Sequence, residues 1–295
     1  MSGGRLSTRV RFRTDSGKAF TLIELLVVIS ILTLLIALLA PALSRSRKQA
    51  QAVVCQSRQH DWSLMFAAYQ SDNDGRFPDG LRPVWDEQSG ERELRHISWP
   101  VHMELCSGLD LHAAMLCPTA SQPVPADVSW RTRGTDLSGG TTFLAWRFDY
   151  QWRSADEQAI MPHFEYFGSY AMNEQLIEYY HPWGVGKVRP AGLPVFFDCR
   201  VSYASLRDAA ADEPPPCADF PMGGHTHVFS SQVTIDRHQG GLNMLFADGA
   251  VRKVGLKELW TLKWHAGFNT AGPWTKAGGA LPSDWPQWMR KFKDY

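Results

Sequence analysis

The sequence predicts an α+β protein: a long N-terminal transmembrane helix packed on a small antiparallel sheet with loop-rich elaborations. Three observations lead there. An apolar run covers Phe20 to Ala40, helical periodicity continues beyond it to about Gln70, and the remaining chain offers only short strand-like segments set among prolines and glycines. At 295 residues the chain holds one domain of ordinary size plus an anchoring helix.

The first element, FTLIELLVVISILTLLIALLA, interrupts its apolar character only at Thr21, Glu24, Ser30 and Thr33, and Pro41 follows it. Its 21 residues reach about 30 Å at ~1.5 Å per residue, the thickness of a hydrocarbon core. A cleaved secretory signal has a shorter apolar run and a small-x-small site after it, so this segment reads as an anchor. Residues 1–19 hold five basic groups against one acid, and fewer basic groups (Arg45, Arg47, Lys48) follow the run, which predicts a cytoplasmic N-terminus. Glu24 is costly here, because a carboxylate inside a spanning helix costs about 2.5–3.5 kcal/mol on insertion scales unless it is partnered.

Past Pro41, where a kink is expected, the apolar positions Ala50, Val54, Trp62, Met65, Phe66 and Tyr69 predict one face laid against a sheet, with Arg58 interrupting the stripe. Asp72-Asn73-Asp74-Gly75 supplies the residues that end the helix. In the remainder, PVFFDC at 194–199, HVFSSQVTI at 227–235, and the pair 243–246 and 250–254 read as strands. The last two form a hairpin across Asp248-Gly249, since Asp-Gly accepts positive φ. The expected division is 1–19 as a leader, 20–41 as the membrane helix, 42–75 as its outer half and 76–295 as a globular head.

These motifs support a resemblance. KAFTLIELLVVISILTLLIALLAP is similar to the prepilin signal of type IV pilins and type II secretion pseudopilins: basic leader, small residue, Phe-Thr-Leu-Ile-Glu, long apolar helix and proline. The segments YQSDNDGRFP, Cys117-Pro118, Ser169 to Asn173 and RHQGGLNMLFADGAVRKV resemble pseudopilin-like proteins with enlarged heads from planctomycete and verrucomicrobial genomes. The resemblance implies a pilin-like fold, cleavage by a prepilin peptidase after Ala19 and N-methylation of Phe20. It further implies that Glu24 neutralises a neighbouring subunit's amine and that Pro41 is the helix proline. Ala19 stands where the family usually has glycine. Implied partners are other pilin or pseudopilin subunits, the prepilin peptidase and an inner-membrane assembly platform, with the chain in the inner membrane and its head periplasmic or extracellular.

Other chemistry is weaker. Balanced charge, 30 basic against 30 acidic residues, argues against a nucleic-acid partner. Asp72, Asp74 and Asp79 offer oxygen ligands, but the later positions of a calcium loop are missing and a turn role is favoured. His225, His227 and His238 with Asp236 and Asp248 are weak metal candidates, and His238 with Gly240-Gly241 is expected to shape a turn before the hairpin. Five cysteines without CxxC spacing disfavour zinc. Cys55–Cys117 is the preferred disulfide, with Cys106–Cys117 and Cys199–Cys217 open as alternatives. The twelve tryptophans read as packing residues ahead of a glycan surface. No nucleophile elbow or phosphate loop is present, so the expectation is a structural protein without catalytic residues or cofactor. Two rivals are a membrane-tethered binding module that does not assemble, and an anchored hydrolase using the histidines.

Overall fold

The structure is a computed structural model and describes residues 21–78, 81–86, 91–96, 99–125, 130–132, 135–150, 164–177, 191–220 and 228–295. The chain divides into two compact units, residues 1–47 and 48–295. Residues 1–20, among them Ala19 and Phe20, and Asp79, His225 and His227 lie outside the described residues.

Helix α1 runs Leu22–Asp72 and continues through Pro41, where the missing N–H removes one i→i−4 bond. In the first unit its side chains are exposed on every face, from Leu22 at 78 % to Leu43 at 71 %. A helix apolar all round is the pattern of a membrane span or a helix-packed assembly. By length and composition α1 is long and apolar enough to cross a membrane. The hydroxyls within it are satisfied locally: Ser30 Oγ donates to the Val27 carbonyl at 2.7 Å and Thr33 Oγ1 to the Ser30 carbonyl at 2.9 Å. At the far end Asp74 and Gly75 take φ of 52° and 73°, and Gly75 N–H closes on the Gln70 carbonyl at 2.9 Å. The left-handed backbone at Asp74 and Gly75 thus comes just after the last helical residue, Asp72.

The second unit is built on sheets. Strands β1 (Leu81–Asp86) and β2 (Glu91–His96) form an antiparallel hairpin, followed by α2 (Trp99–Ser107). A second sheet takes β3 (Gln122–Pro123), β4 (Trp130–Thr132), β5 (Thr135–Ser138) and β6 (Leu144–Tyr150) in the order β3-β6-β5-β4, with β7 (Phe164–Gly168) also on β6.

The central sheet takes β8 (Tyr170–Asn173), β9 (Pro194–Asp198), β10 (Tyr203–Ala204), β11 (Gly241–Phe246) and β12 (Val251–Gly255) in the order β10-β8-β9-β11-β12. Its pairs are antiparallel except β10 with β8. Strands β9 and β11 are buried along their whole length because both faces of the sheet are covered. Alternation splits their side chains between two cores. Tyr170, Met172, Phe196 and Leu245 join Cys55, Trp62, Phe66 and Trp99 under α1. Ala171, Phe197, Leu242, Met244 and Phe246 join Trp260, Trp264 and Trp285 of the C-terminal segment on the other side.

The C-terminal tryptophans thus pack, and their N–H groups find carbonyls: Trp260 to Asp212 and Trp264 to Leu259, both at 2.8 Å.

Three expectations need correction. The buried stripe of α1 is Cys55, Gln59, Trp62 and Phe66, whereas Ala50 and Val54 are exposed. Within the expected strand 227–235, residues 228–233 form instead a short helix, α3 (Val228–Val233). Tertiary bonds hold it: Arg200 donates to the Ser231 and Gln232 carbonyls at 3.3 and 3.2 Å. The β11–β12 loop uses positive φ at Gly249 alone, while Asp248 Oδ1 accepts the Ala250 N–H at 3.0 Å.

Candidate functional site

Two places carry chemistry. The first is the start of α1. Thr21 Oγ1 accepts the Glu24 N–H at 3.2 Å, and Glu24 Oε2 accepts the Thr21 N–H at 2.9 Å and its hydroxyl at 2.8 Å. This is a reciprocal capping box, threonine at the N-cap and glutamate three residues on, and it satisfies two otherwise orphaned N–H groups. The Thr-x-x-Glu spacing signals it in the sequence. Both bonds to the carboxylate end on one oxygen, Oε2.

The second place lies between residues 48–72 of α1 and the central sheet, where Cys55, Cys117, Asp198 and His238 converge with their ligand-type atoms within 4.8 Å of one another. All four residues are buried. Cys55 sits on the sheet-facing stripe of α1, and Asp198 ends β9 on the α1-facing side. Cys117 is held by a tight turn, its carbonyl accepting the Ala120 N–H at 2.9 Å. His238 comes from the turn before β11, where its N–H bonds the Gly241 carbonyl at 2.9 Å across Gln239 and Gly240 of positive φ.

Within the cluster His238 Nε2 lies 3.1 Å from Asp198 Oδ2 and 3.5 Å from Cys117 Sγ. Cys55 Sγ lies 3.6 Å from each Asp198 oxygen. Around it, Arg237 Nη1 donates to Asp198 Oδ1 at 3.2 Å, the Asn243 N–H to Oδ2 at 2.8 Å, and the Tyr170 hydroxyl to Cys55 Sγ at 3.4 Å.

Electrostatics follow from this packing. Burial opposes the charged form of Asp198, but His238 and Arg237 outweigh it and hold the carboxyl below its usual range. Burial likewise opposes a charged His238, and the Asp198 charge and hydrogen bond lift it to about 9. Burial and Cys117 with Asp198 push the Cys55 thiol up. At Cys117 burial is overridden by hydrogen bonds from Cys55 and His238 and by the Arg237 charge, which lower it to about 6. The cluster therefore favours one thiolate against imidazolium, enclosed in protein.

The structure brings Cys55 and Cys117 together as free thiols. Cys106 and Cys217 are exposed, and Cys199 donates separately to the Gln232 carbonyl at 3.1 Å. His238 joins the cluster without Asp236 or Asp248. Among the described residues, Asp72 and Asp74 join no group of three ligand-type side chains. Asp198 was missed as a site residue because an acid ending an apolar strand carries no motif.

Against known proteins, no curated protein and no solved structure matches the chain. Residues 16–40 match the prokaryotic N-terminal methylation motif, so the chain carries a prepilin-type processing motif at the head of an apolar helix.

Proposed function

We propose that the chain is a pilin-like structural subunit of a type II secretion or type IV pilus-like assembly. In this reading a prepilin peptidase cuts after Ala19, Phe20 becomes the methylated first residue, and subunits polymerise through the N-terminal helix. The observation that carries it is the methylation motif at residues 16–40 opening a helix whose apolar side chains are exposed all round. Such a helix needs a bilayer or the helices of neighbouring subunits to cover it.

The capping box supports a defined role for Glu24. It keeps the carboxylate oriented at the helix start through Oε2, and Oε1 is the oxygen that would receive a neighbouring subunit's terminal amine. The basic leader supports a cytoplasmic N-terminus, with the head carried to the outer side of the inner membrane, as the platform and subunit partners require.

Assembly is tested by shearing cells that express wild type, Glu24→Ala or Glu24→Gln and sedimenting the released material. Glutamine keeps an amide oxygen for the cap but removes the charge, so both variants should stay processed in the membrane and leave the sheared fraction. Equal amounts of all three chains in that fraction, or wild type absent from it, would overturn the assembly reading in favour of a tethered module.

A further inference from the structure

We propose that Cys55, Cys117, Asp198 and His238 form a buried tetrahedral site for one divalent metal ion of the zinc class. Tetrahedral zinc with bonds of about 2.0 Å to nitrogen and oxygen and 2.3 Å to sulfur sets its ligands about 3.3–3.8 Å apart. Here the edges Asp198 Oδ2 to His238 Nε2, Cys117 Sγ to His238 Nε2, and Cys55 Sγ to Asp198 Oδ2 are 3.1, 3.5 and 3.6 Å. The two edges to sulfur lie in that range and the nitrogen–oxygen edge is slightly shorter, and all four donor atoms lie within 4.8 Å of one another although they come from four separate parts of the chain.

The donor set selects the ion. Two thiolates with an imidazole and one carboxylate oxygen suit zinc, and hard ions such as magnesium and calcium require oxygen. Four protein donors leave no open position, which is the arrangement of a structural site.

Charge closes as well. Two thiolates and a carboxylate sum to three negative charges, which a divalent ion and the Arg237 guanidinium balance. The surrounding contacts are those that orient ligands: Arg237 on Asp198 Oδ1, the Asn243 N–H on Oδ2, and the Tyr170 hydroxyl on Cys55 Sγ. A pocket of about 380 Å³ has Gln51, Arg237 and His238 in its lining, so it borders one member of the cluster. Binding forms two metal–sulfur bonds, one metal–nitrogen bond and one metal–oxygen bond. It releases to solvent the proton held by the Cys55 thiol and that of a protonated His238, and no electrons change hands. The ion would then bolt the outer part of α1, through Cys55, to the central sheet, through Asp198 and His238.

The test is metal analysis of the full chain, extracted from membranes in detergent without chelator, then exposed to zinc and dialysed. One zinc per chain is expected. Cobalt exchanged into the site should give a thiolate-to-cobalt charge-transfer band in the near ultraviolet. Cys117→Ser should lose both metal and band, and Cys106→Ser, altering an exposed thiol, should keep both. Folded wild type that holds only traces of zinc and shows no cobalt band overturns the proposal, whether its thiols are free or a Cys55–Cys117 disulfide has consumed them. So does full zinc retention in Cys117→Ser. Neither reading depends on whether the chain assembles.

Discussion

Arg237 and Asp198 form an ion pair of 3.2 Å in which both side chains are fully buried. The same guanidinium donates to the carbonyls of Thr141 and Thr142 at 3.0 Å, Ser169 at 2.5 Å and Cys199 at 3.3 Å, so one side chain joins three loops to the central sheet. Removing it leaves a buried carboxylate and several carbonyls without their partner, at about 3–5 kcal/mol. Arg237→Met should lower the unfolding free energy by that amount in denaturant titrations of the detergent-solubilised chain. Arg237→Lys should recover little, because an ammonium cannot reproduce the planar fork. A loss below about 1 kcal/mol for Arg237→Met would contradict this role.

Asn243 fastens α1 to β11. Its side chain accepts from Gln56 at 3.1 Å and donates to the Ala52 carbonyl at 3.0 Å, while its own carbonyl accepts from Gln59 at 3.1 Å. Asn243→Leu keeps the heavy-atom count and branching and removes both side-chain bonds. A loss of about 2–3 kcal/mol is expected, with faster amide exchange in α1 around residue 55. Unchanged exchange there would argue that packing alone holds the helix.

The helix stripe makes a contrast. Trp62 is fully buried among Phe66, Trp99 and Phe196, and Leu64 two residues away is 60 % exposed. Trp62→Ala should cost about 3–5 kcal/mol and Leu64→Ala within about 0.5 kcal/mol of nothing. Comparable losses from the two would mean the helix faces the sheet differently.

At Gly241 an added methyl group would stand 2.2 Å from the Val254 carbonyl oxygen on the paired strand. Gly241→Ala should destabilise the hairpin by about 1–3 kcal/mol, visible as a lower melting temperature. At Gly249, where nothing lies within 4 Å but φ is +81°, alanine should cost about 1–2 kcal/mol through backbone strain alone. A neutral Gly241→Ala would show that the two strands can separate without cost.

Local signals carried the parts of the fold that were legible. The apolar run, the Asp-Asn-Asp-Gly stop and the Asp-Gly hairpin each depend on a few neighbouring residues, and α1, β9, β11 and β12 lie close to their expected places. Residues 228–233 were misread because Arg200, far away in sequence, binds the carbonyls that a strand would have paired. The stripe of α1 was misplaced because its sheet-facing positions include a thiol and an amide. Cys55 turns toward Asp198, and Gln59 toward the β11 backbone, where an apolar count sees nothing. The buried cluster was least legible, since its four members share no spacing and meet only through sheet order. The N-terminal motif was the opposite case, being wholly local.

The central claim is that this chain is a processed, helix-anchored subunit, and the N-terminus of the protein from its host's membranes tests it most directly. Intact mass with N-terminal sequencing should find a chain beginning at N-methylated Phe20. A membrane-bound chain that retains Met1 would contradict the account, leaving an anchored head whose helix is never released for assembly.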